Sequence, residues 1–297
     1  MKAQLQSIVV ILVATGIGLA LAHIVSPGSL SLLGQPLLPM LALLAFGVQW
    51  LVFLPSYWAQ TEHYYDLTGS ATYISVIALA AGMRLSAEAD WRTALLLGLV
   101  LIWALRLGSF LFKRIRQDGK DGRFDDIKPH FLRFLVAWTL QGLWVFLTLF
   151  AALIAMSVQP TQAPGLLEVL GLGVWLLGFA FEAVADWQKS AFKANPANKG
   201  RFIDVGLWRW SRHPNYFGEI TLWVGVAMIA TPVMSGWLWL GWLSPVFVAF
   251  LLIKVSGIPM LEQRADDRWG GQADYEAYKA RTPVLIPRPP RAQPSLS

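Results

Sequence analysis

The chain has 297 residues, of which 56% are hydrophobic and only 14% charged, well short of the roughly 25% charged residues of a soluble domain. Repeated apolar runs without strand-like alternation exclude a soluble enzyme and a membrane barrel, and the absence of cysteine removes disulfides, thiolate nucleophiles and thiolate metal sites together. The net charge of +6 reads as membrane topology, because the basic residues cluster in particular loops and no soluble basic face for nucleic acid is legible.

In chain order, residues 4–24 form the first apolar run behind Lys2 and read as a retained spanning helix. Ala20-Leu-Ala22 resembles a signal-peptidase site, so a cleaved signal peptide is the alternative. A turn-rich loop at 25–36 leads to a second helix over 37–57. The polar, aromatic segment from Trp58 to Ser70 opens a third helix over 70–85, and a fourth follows over 93–112 with Arg106 inside it. The loop from Lys113 to Arg123, extending to Lys128 and Arg133, is the most basic connection, so the positive-inside rule puts it in the cytoplasm. Helices over 131–157 and 166–186 turn through Gln159-Pro-Thr-Gln-Ala-Pro164, and the loop from Trp187 to His213 carries six lysines and arginines and is cytoplasmic too. Two more helices, over 214–233 and 237–257, precede an amphiphilic tail that becomes Pro-rich at Pro283, Pro287, Pro289 and Pro290.

The expected fold is an all-α polytopic bundle of seven or eight transmembrane helices forming one membrane domain over 1–297. The polar clusters at 58–70, 113–133, 186–219 and 254–281 all fall on the cytoplasmic side of this topology, which argues for one site facing the cytoplasm. No obligate protein partner is evident.

The densest cluster is Gly206-Leu-Trp-Arg-Trp-Ser-Arg-His-Pro-Asn-Tyr-Phe-Gly-Glu-Ile220. Arg209, Arg212 and His213 stand just before Pro214, which suits the first position of a helix because its missing N–H has no intrahelical partner there. A helix start behind arginines favours anions through its free N–H groups and its dipole. Glu182 and Asp186 share one helix face, as do Asn215 and Glu219. Arg106, two turns inside the fourth helix, costs about 2.5–3.5 kcal/mol on insertion scales unless it is compensated. Structural ion pairs and interfacial anchors are the plainer reading of all these residues. The four histidines are scattered, no zinc spacing appears, and no Ser-His-Asp arrangement or glycine-rich phosphate loop is legible.

Asp186, Lys193, Arg201, the run from Gly206 to Glu219, Trp223 and Gly225 together resemble the C-terminal domain of the steroid 5α-reductase superfamily, most closely its bacterial branch of membrane proteins. The match runs from about Trp91 to Pro287. It implies a multi-pass protein of the bacterial inner membrane that binds NADPH from the cytoplasm and reduces a carbon–carbon double bond conjugated to a ketone. The implied substrate is a lipophilic small molecule, steroid, isoprenoid or lipid-like, held on the side of residues 1–90, with 91–290 as the reductase-like domain carrying the cofactor site.

Carried over by position, the resemblance implies cofactor contacts at Arg106, Asp186, Lys193, Arg201, Arg212, His213, Asn215, Tyr216 and Glu219. Cations suit the pyrophosphate and ribose phosphate, and amide and carboxylates suit ribose and nicotinamide hydrogen bonds. The family's substrate-activating Gln-Glu pair and Tyr have their nearest counterpart in Gln60-Thr-Glu62, with one residue inserted, and in Tyr64, Tyr65 or Tyr73; Glu62 and Tyr65 are the catalytic candidates. As an acid, Glu62 is expected to have a raised pKa and to donate in its protonated form. Membrane methyltransferases of the isoprenylcysteine type, which use S-adenosylmethionine, also carry an Arg-His-Pro-x-Tyr-x-Gly element, with a paired Glu-Glu where this chain has Glu262-Gln263. A non-catalytic lipid-binding protein is the third reading.

Overall fold

The computed structural model describes residues 2–158 and 163–289. Within them the chain is helical almost throughout: α1 (Lys2–Ile24), a two-residue hairpin of β1 (Ser31–Leu32) and β2 (Gln35–Pro36), α2 (Leu37–Trp58), α3 (Tyr65–Ala87), α4 (Trp91–Asp118), α5 (Phe131–Ser157), α6 (Leu166–Ala194), α7 (Pro214–Ala230), α8 (Leu243–Phe250), α9 (Ile258–Trp269) and α10 (Ala273–Arg281). Among the described residues, eight segments are long and apolar enough to cross a membrane, the last running over residues 236–269. This is a polytopic membrane helix bundle. Of the turn expected at 159–164, residues 159–162 lie outside the described residues, as does Pro290 of the tail.

Four elements depart from the hydropathy pattern. Helix α3 starts at Tyr65 rather than 70, so Asp66 and Thr68 are helical. Helix α4 runs on to Asp118, so Lys113, Arg114 and Arg116 are helical rather than loop residues. Helix α6 runs on to Ala194, which makes Lys193 helical rather than a loop residue. The last apolar run is not one α-helix: it opens as a 3₁₀ segment (Gly236–Trp242), continues as α8, widens into a π-turn (Leu251–Val255) and breaks at Gly257 before α9. Trp, Gly and Pro crowd this stretch, and none is a strong helix former.

The chain divides into two compact units, Met1–Leu167 with Ile229–Ser244, and Glu168–Met228 with the chain from Pro245 on. In the first unit α5 is the central helix, packing against α1, α2, α3 and α4. Most of its span is buried, whereas α1 and α2 turn residues such as Leu5, Leu12 and Leu51 outward, as lipid contact requires. Glycines let helices meet closely: a Cβ on Gly142 would lie 2.9 Å from the Phe46 ring, and one on Gly108 2.6 Å from Ser70 Oγ. Gln49 Nε2 donates to Thr72 Oγ1 at 2.9 Å and Trp50 Nε1 to Thr139 Oγ1 at 3.0 Å. Such interhelical bonds average roughly 0.6 kcal/mol each in a bilayer. The loop after α1 ties to the far end of α5 through Leu30 N–H donating to the Ser157 carbonyl at 2.8 Å. The hairpin between them turns at Leu33 and Gly34, both at positive φ (52° and 76°), the conformation a tight two-residue hairpin needs.

In the second unit α6 and α7 run antiparallel and touch backbone to backbone. A Cβ on Gly178 would lie 2.6 Å from the Gly218 carbonyl, one on Gly218 2.5 Å from Glu182 N, and one on Gly225 2.6 Å from the Gly171 carbonyl. No side chain fits in that seam, so overpacking there costs roughly 1–3 kcal/mol or more. Gly218→Ala and Gly178→Ala are expected to lower the thermal unfolding midpoint of the detergent-solubilised protein by about 3–10 °C. Gly173→Ala, on the same helix with nothing within 4 Å of its Cβ, is the control and is expected to leave it unchanged.

Candidate functional site

The register of α6 on α7 decides which polar groups meet. With Gly218 against Glu182, one further turn along α6 brings Asp186 to the start of α7 at Pro214. Glu182 and Asp186 are both buried, while Asn215, Tyr216 and Glu219 on the first turns of α7 are half-buried. The sequence pairs, Glu182 with Asp186 and Asn215 with Glu219, thus lie at the same end of one helix hairpin.

The segment entering α7 is held by the chain that follows the last span. Arg212 N–H donates to the Pro283 carbonyl at 2.9 Å, Ser211 Oγ to the Leu285 carbonyl at 2.8 Å, and Arg288 N–H to the Trp210 carbonyl at 2.9 Å. Trp208 is tied from both sides: its Nε1 donates to the Ala185 carbonyl on α6 at 3.0 Å, and its carbonyl accepts from Tyr278 Oη on α10 at 2.8 Å. Ser211 Oγ also accepts from His213 N–H at 3.1 Å.

This frame presents Arg212 and His213 to Glu262 of α9. His213 Nε2 lies 2.7 Å from Glu262 Oε1, and Arg212 Nη2 lies 3.1 Å from Glu262 Oε2. His213 is 4% exposed, and its imidazole stacks on Tyr216, ring centroids 5.6 Å apart and planes 9° off parallel. Burial pushes the His213 pKa down, and the hydrogen bond that its ring donates to Glu262 only partly offsets it; the positive charges of Lys189 and Arg212 act in the same direction as burial. The ring is therefore neutral at neutral pH, with its proton on the nitrogen facing the carboxylate. Its other nitrogen, Nδ1, is buried without a hydrogen-bond partner among the described residues, and so is Arg212 Nε. Leaving a buried polar atom unsatisfied costs roughly 1–3 kcal/mol.

Arg201 lies in the same unit, exposed on a cavity of about 240 Å³ lined also by Phe202, Asp204, Trp269, Gln272 and Arg281. Arg281 and Asp204 approach to 3.6 Å across it. Lys193 is exposed near the end of α6. The second unit thus gathers Asp186, Lys193, Arg201, Arg212, His213, Asn215, Tyr216 and Glu219. Arg106 belongs to the first unit, half-buried on α4. Glu262 and Tyr278 were not singled out as site residues from the sequence. Glu262 drew notice only as a departure from a Glu-Glu pair, and its contact with His213 spans 49 residues that no local pattern bridges.

Glu62 and Tyr65 belong to the first unit, and their surroundings correct one expectation. Glu62 is 4% exposed, but it is not a neutral acid. Burial alone would raise its pKa, yet the outcome is a lowered one, because Lys128 Nζ donates to Oε2 at 2.8 Å and Asp121 N–H to Oε1 at 3.1 Å. The loop between α4 and α5 supplies both donors. The same loop accepts at the Gly119 carbonyl from His63 Nε2 (2.5 Å) and packs Phe124 on Tyr65, centroids 4.8 Å apart. Tyr65 Oη donates to the Ala137 carbonyl at 3.0 Å, so its hydroxyl proton is committed to the backbone of α5. Around it Phe53, Phe124, Phe134 and Trp138 form a closed aromatic cluster.

Comparison with known proteins gives two relatives in the fission yeast Schizosaccharomyces pombe. The uncharacterized protein C7D4.09c is 29% identical over 107 residues, 35% of this chain and 36% of that protein. The uncharacterized protein C594.04c is 23% identical over 220 residues, 64% of this chain and 63% of that protein. The chain thus spans about a third of the first and just under two thirds of the second. No solved structure matches significantly. A family described as a protein of unknown function, DUF1295, matches residues 52–282, a stretch that takes in seven of the eight candidate spans in whole or part, and the chain belongs to that family.

Proposed function

We propose that this protein is a membrane-embedded, NADPH-dependent reductase of a carbon–carbon double bond conjugated to a ketone in a lipophilic substrate, akin to the steroid 5α-reductases and their bacterial branch. We place it in a bacterial inner membrane with the cofactor site toward the cytoplasm. The observation that carries this reading is the gathering in one unit of the cations, carboxylates and amide that a dinucleotide requires, beside two buried polar atoms, Arg212 Nε and His213 Nδ1, that have no partner among the described residues. A bound group that pairs with those two atoms would remove the cost of leaving them unsatisfied.

In this reading Lys193 and Arg201 hold phosphate charge, and Asp186, Asn215 and Glu219 accept from or donate to ribose hydroxyls and the carboxamide. Arg212, His213 and Tyr216 complete the wall at the start of α7. NADPH supplies the hydride when bound. On the substrate side Glu62 polarises the ketone as a donor only after taking up a proton, and separation from Lys128 is what raises its pKa toward that state. Tyr65 serves as a second donor only by giving up the Ala137 carbonyl.

One observation favours a second reading, an S-adenosylmethionine-dependent methyltransferase. Glu262, where the isoprenylcysteine-type enzymes have paired glutamates, touches both Arg212 and His213 of the Arg-His-Pro element.

Titration of the purified protein is expected to show NADPH binding that Arg201→Ala and Asn215→Ala each weaken about 10-fold or more, as loss of a charge-assisted or buried hydrogen bond does. Tighter binding of S-adenosylmethionine than of NADPH overturns the reductase in favour of the methyltransferase, and binding of neither leaves the non-catalytic lipid binder. The Glu62 contacts give a separate expectation. Because its folded pKa is depressed, the Glu62–Lys128 pair stabilises above the ordinary carboxylate pKa and loses its effect as pH falls through the folded value. Lys128→Met is expected to cost about 1–3 kcal/mol near pH 7 and progressively less as pH falls below the ordinary carboxylate range, read as thermal midpoints across that range; a loss that does not change with pH removes the pair from the account.

A further inference from the structure

Arg212 and His213 are consecutive residues tied to one carboxylate, and each keeps a second polar atom back. The carboxylate of Glu262 takes the Arg212 Nη2 donor on one oxygen and His213 Nε2 on the other. A carboxylate facing Nε2 holds the ring proton there, so Nδ1 carries a lone pair and can only accept. Arg212 Nε, by contrast, can only donate. The result is one buried donor and one buried acceptor on adjacent residues, both without a partner among the described residues. Arg212 and Tyr216, which stacks on the imidazole, are both only partly buried.

Two contacts hold the ring and a third holds its backbone. Tyr216 covers one face, Glu262 holds Nε2, and the backbone is pinned through Ser211 and the 283–285 strand of chain. Freedom to turn Nδ1 toward another protein group is what this arrangement removes.

We propose that His213 Nδ1 and Arg212 Nε together bind a group that both donates and accepts, a ribose hydroxyl or a carboxamide of a nucleoside cofactor, and that Glu262 is the positioning residue that fixes the two for it. The cofactor part rests on reading this unit as the cofactor site, whereas the donor–acceptor pairing is shared by NADPH and S-adenosylmethionine, both of which carry ribose hydroxyls. Glu262 does not touch the cofactor in this scheme; it selects the tautomer of His213 and orients the guanidinium.

The test uses the full-length protein in lipid nanodiscs with ¹⁵N-histidine, where only four imidazoles report and His213→Asn assigns one of them by difference. Without added cofactor, His213 is expected to show protonated Nε2 and bare Nδ1, and Glu262→Ala is expected to mix the tautomers. Saturating NADPH is expected to shift the Nδ1 resonance toward that of a hydrogen-bonded acceptor. His213→Gln keeps a polar group near Glu262 but supplies nothing at Nδ1, and is expected to weaken NADPH binding about 10-fold; Glu262→Ala is expected to do so to a similar extent while the protein stays folded by its thermal midpoint. The 3-acetylpyridine analogue of NADP⁺, which lacks the carboxamide NH₂, separates the two donor groups. A Nδ1 shift with NADP⁺ but none with the analogue assigns the carboxamide, and equal shifts assign a ribose hydroxyl.

A Nδ1 shift produced by S-adenosylmethionine and not by NADPH overturns the reductase reading and leaves the pairing standing. A Nδ1 resonance that no nucleoside cofactor moves, or full-affinity NADPH binding by His213→Gln, overturns the inference with the reductase reading intact in the second case. A protonated Nδ1 in the wild-type protein overturns it outright, and that result needs no variant.

Discussion

The arrangement of the second unit depends on the bare backbone contact of α6 and α7 at Gly178, Gly218 and Gly225. Between spanning helices lipid removes the hydrophobic drive, leaving van der Waals contact and hydrogen bonds to hold them, and contact is best where no side chain intervenes. The glycines set both the distance and the register. Because Gly218 lies on Glu182 itself, the acidic end of α6 can only face the first turns of α7. Two buried carboxylates thereby come to the place where α7 has just begun and its first N–H groups lack intrahelical partners. A larger residue in the seam shifts that register and separates the acids from Asn215 and Glu219.

A second constraint comes from the chain beyond the last apolar run. By composition it is a tail, yet its residues close the frame around α7: Pro283 and Leu285 carbonyls accept from Arg212 and Ser211, and Glu262 pairs with Arg212 and His213. Tyr278 reaches the Trp208 carbonyl, and Tyr275 donates to Asp266 at 2.9 Å. A segment that makes these bonds orders the entry to α7 as firmly as a helix neighbour does, since each of them occupies a backbone or charged group that burial obliges to find a partner.

The spanning helices were legible because the bilayer imposes one rule on every segment, a run of about twenty apolar residues with its backbone paired internally. Where that rule stops applying, legibility stopped too. Tyr65-Asp-Leu-Thr68 is polar enough to read as loop, but Asp66 meets Arg114 at 3.4 Å and Tyr65 packs on Phe124, so tertiary contacts extend α3 backward. Lys189 and Lys193 read as loop charge, yet Lys189 lies over the Trp208 ring at 4.6 Å on a helix that continues past the apolar run. The motif residues from Asp186 to Glu219 were found because they are close in sequence. Glu262 was missed as a site residue, and the ionised state of Glu62 was misread, because the deciding partners stand 49 and 66 residues away.

Glu62 and Glu262 make the chemical contrast plain. Each is a glutamate beside a cation at the edge of the apolar segments, and neither gains from burial alone. Glu62 is saturated: its two oxygens take Lys128 and the Asp121 N–H, and Lys128 also approaches Asp125 at 3.6 Å. Glu262 is also satisfied, but it satisfies itself with one end each of two bifunctional groups, and their other ends stay buried and unmatched. Glu62 and its partners hold the α4–α5 loop to the chain before α3, whereas each partner of Glu262 keeps one buried polar atom unmatched. That difference in what the partners have left over, more than any difference in the carboxylates, moves the chemically open part of this protein from the loop around Glu62 to the start of α7.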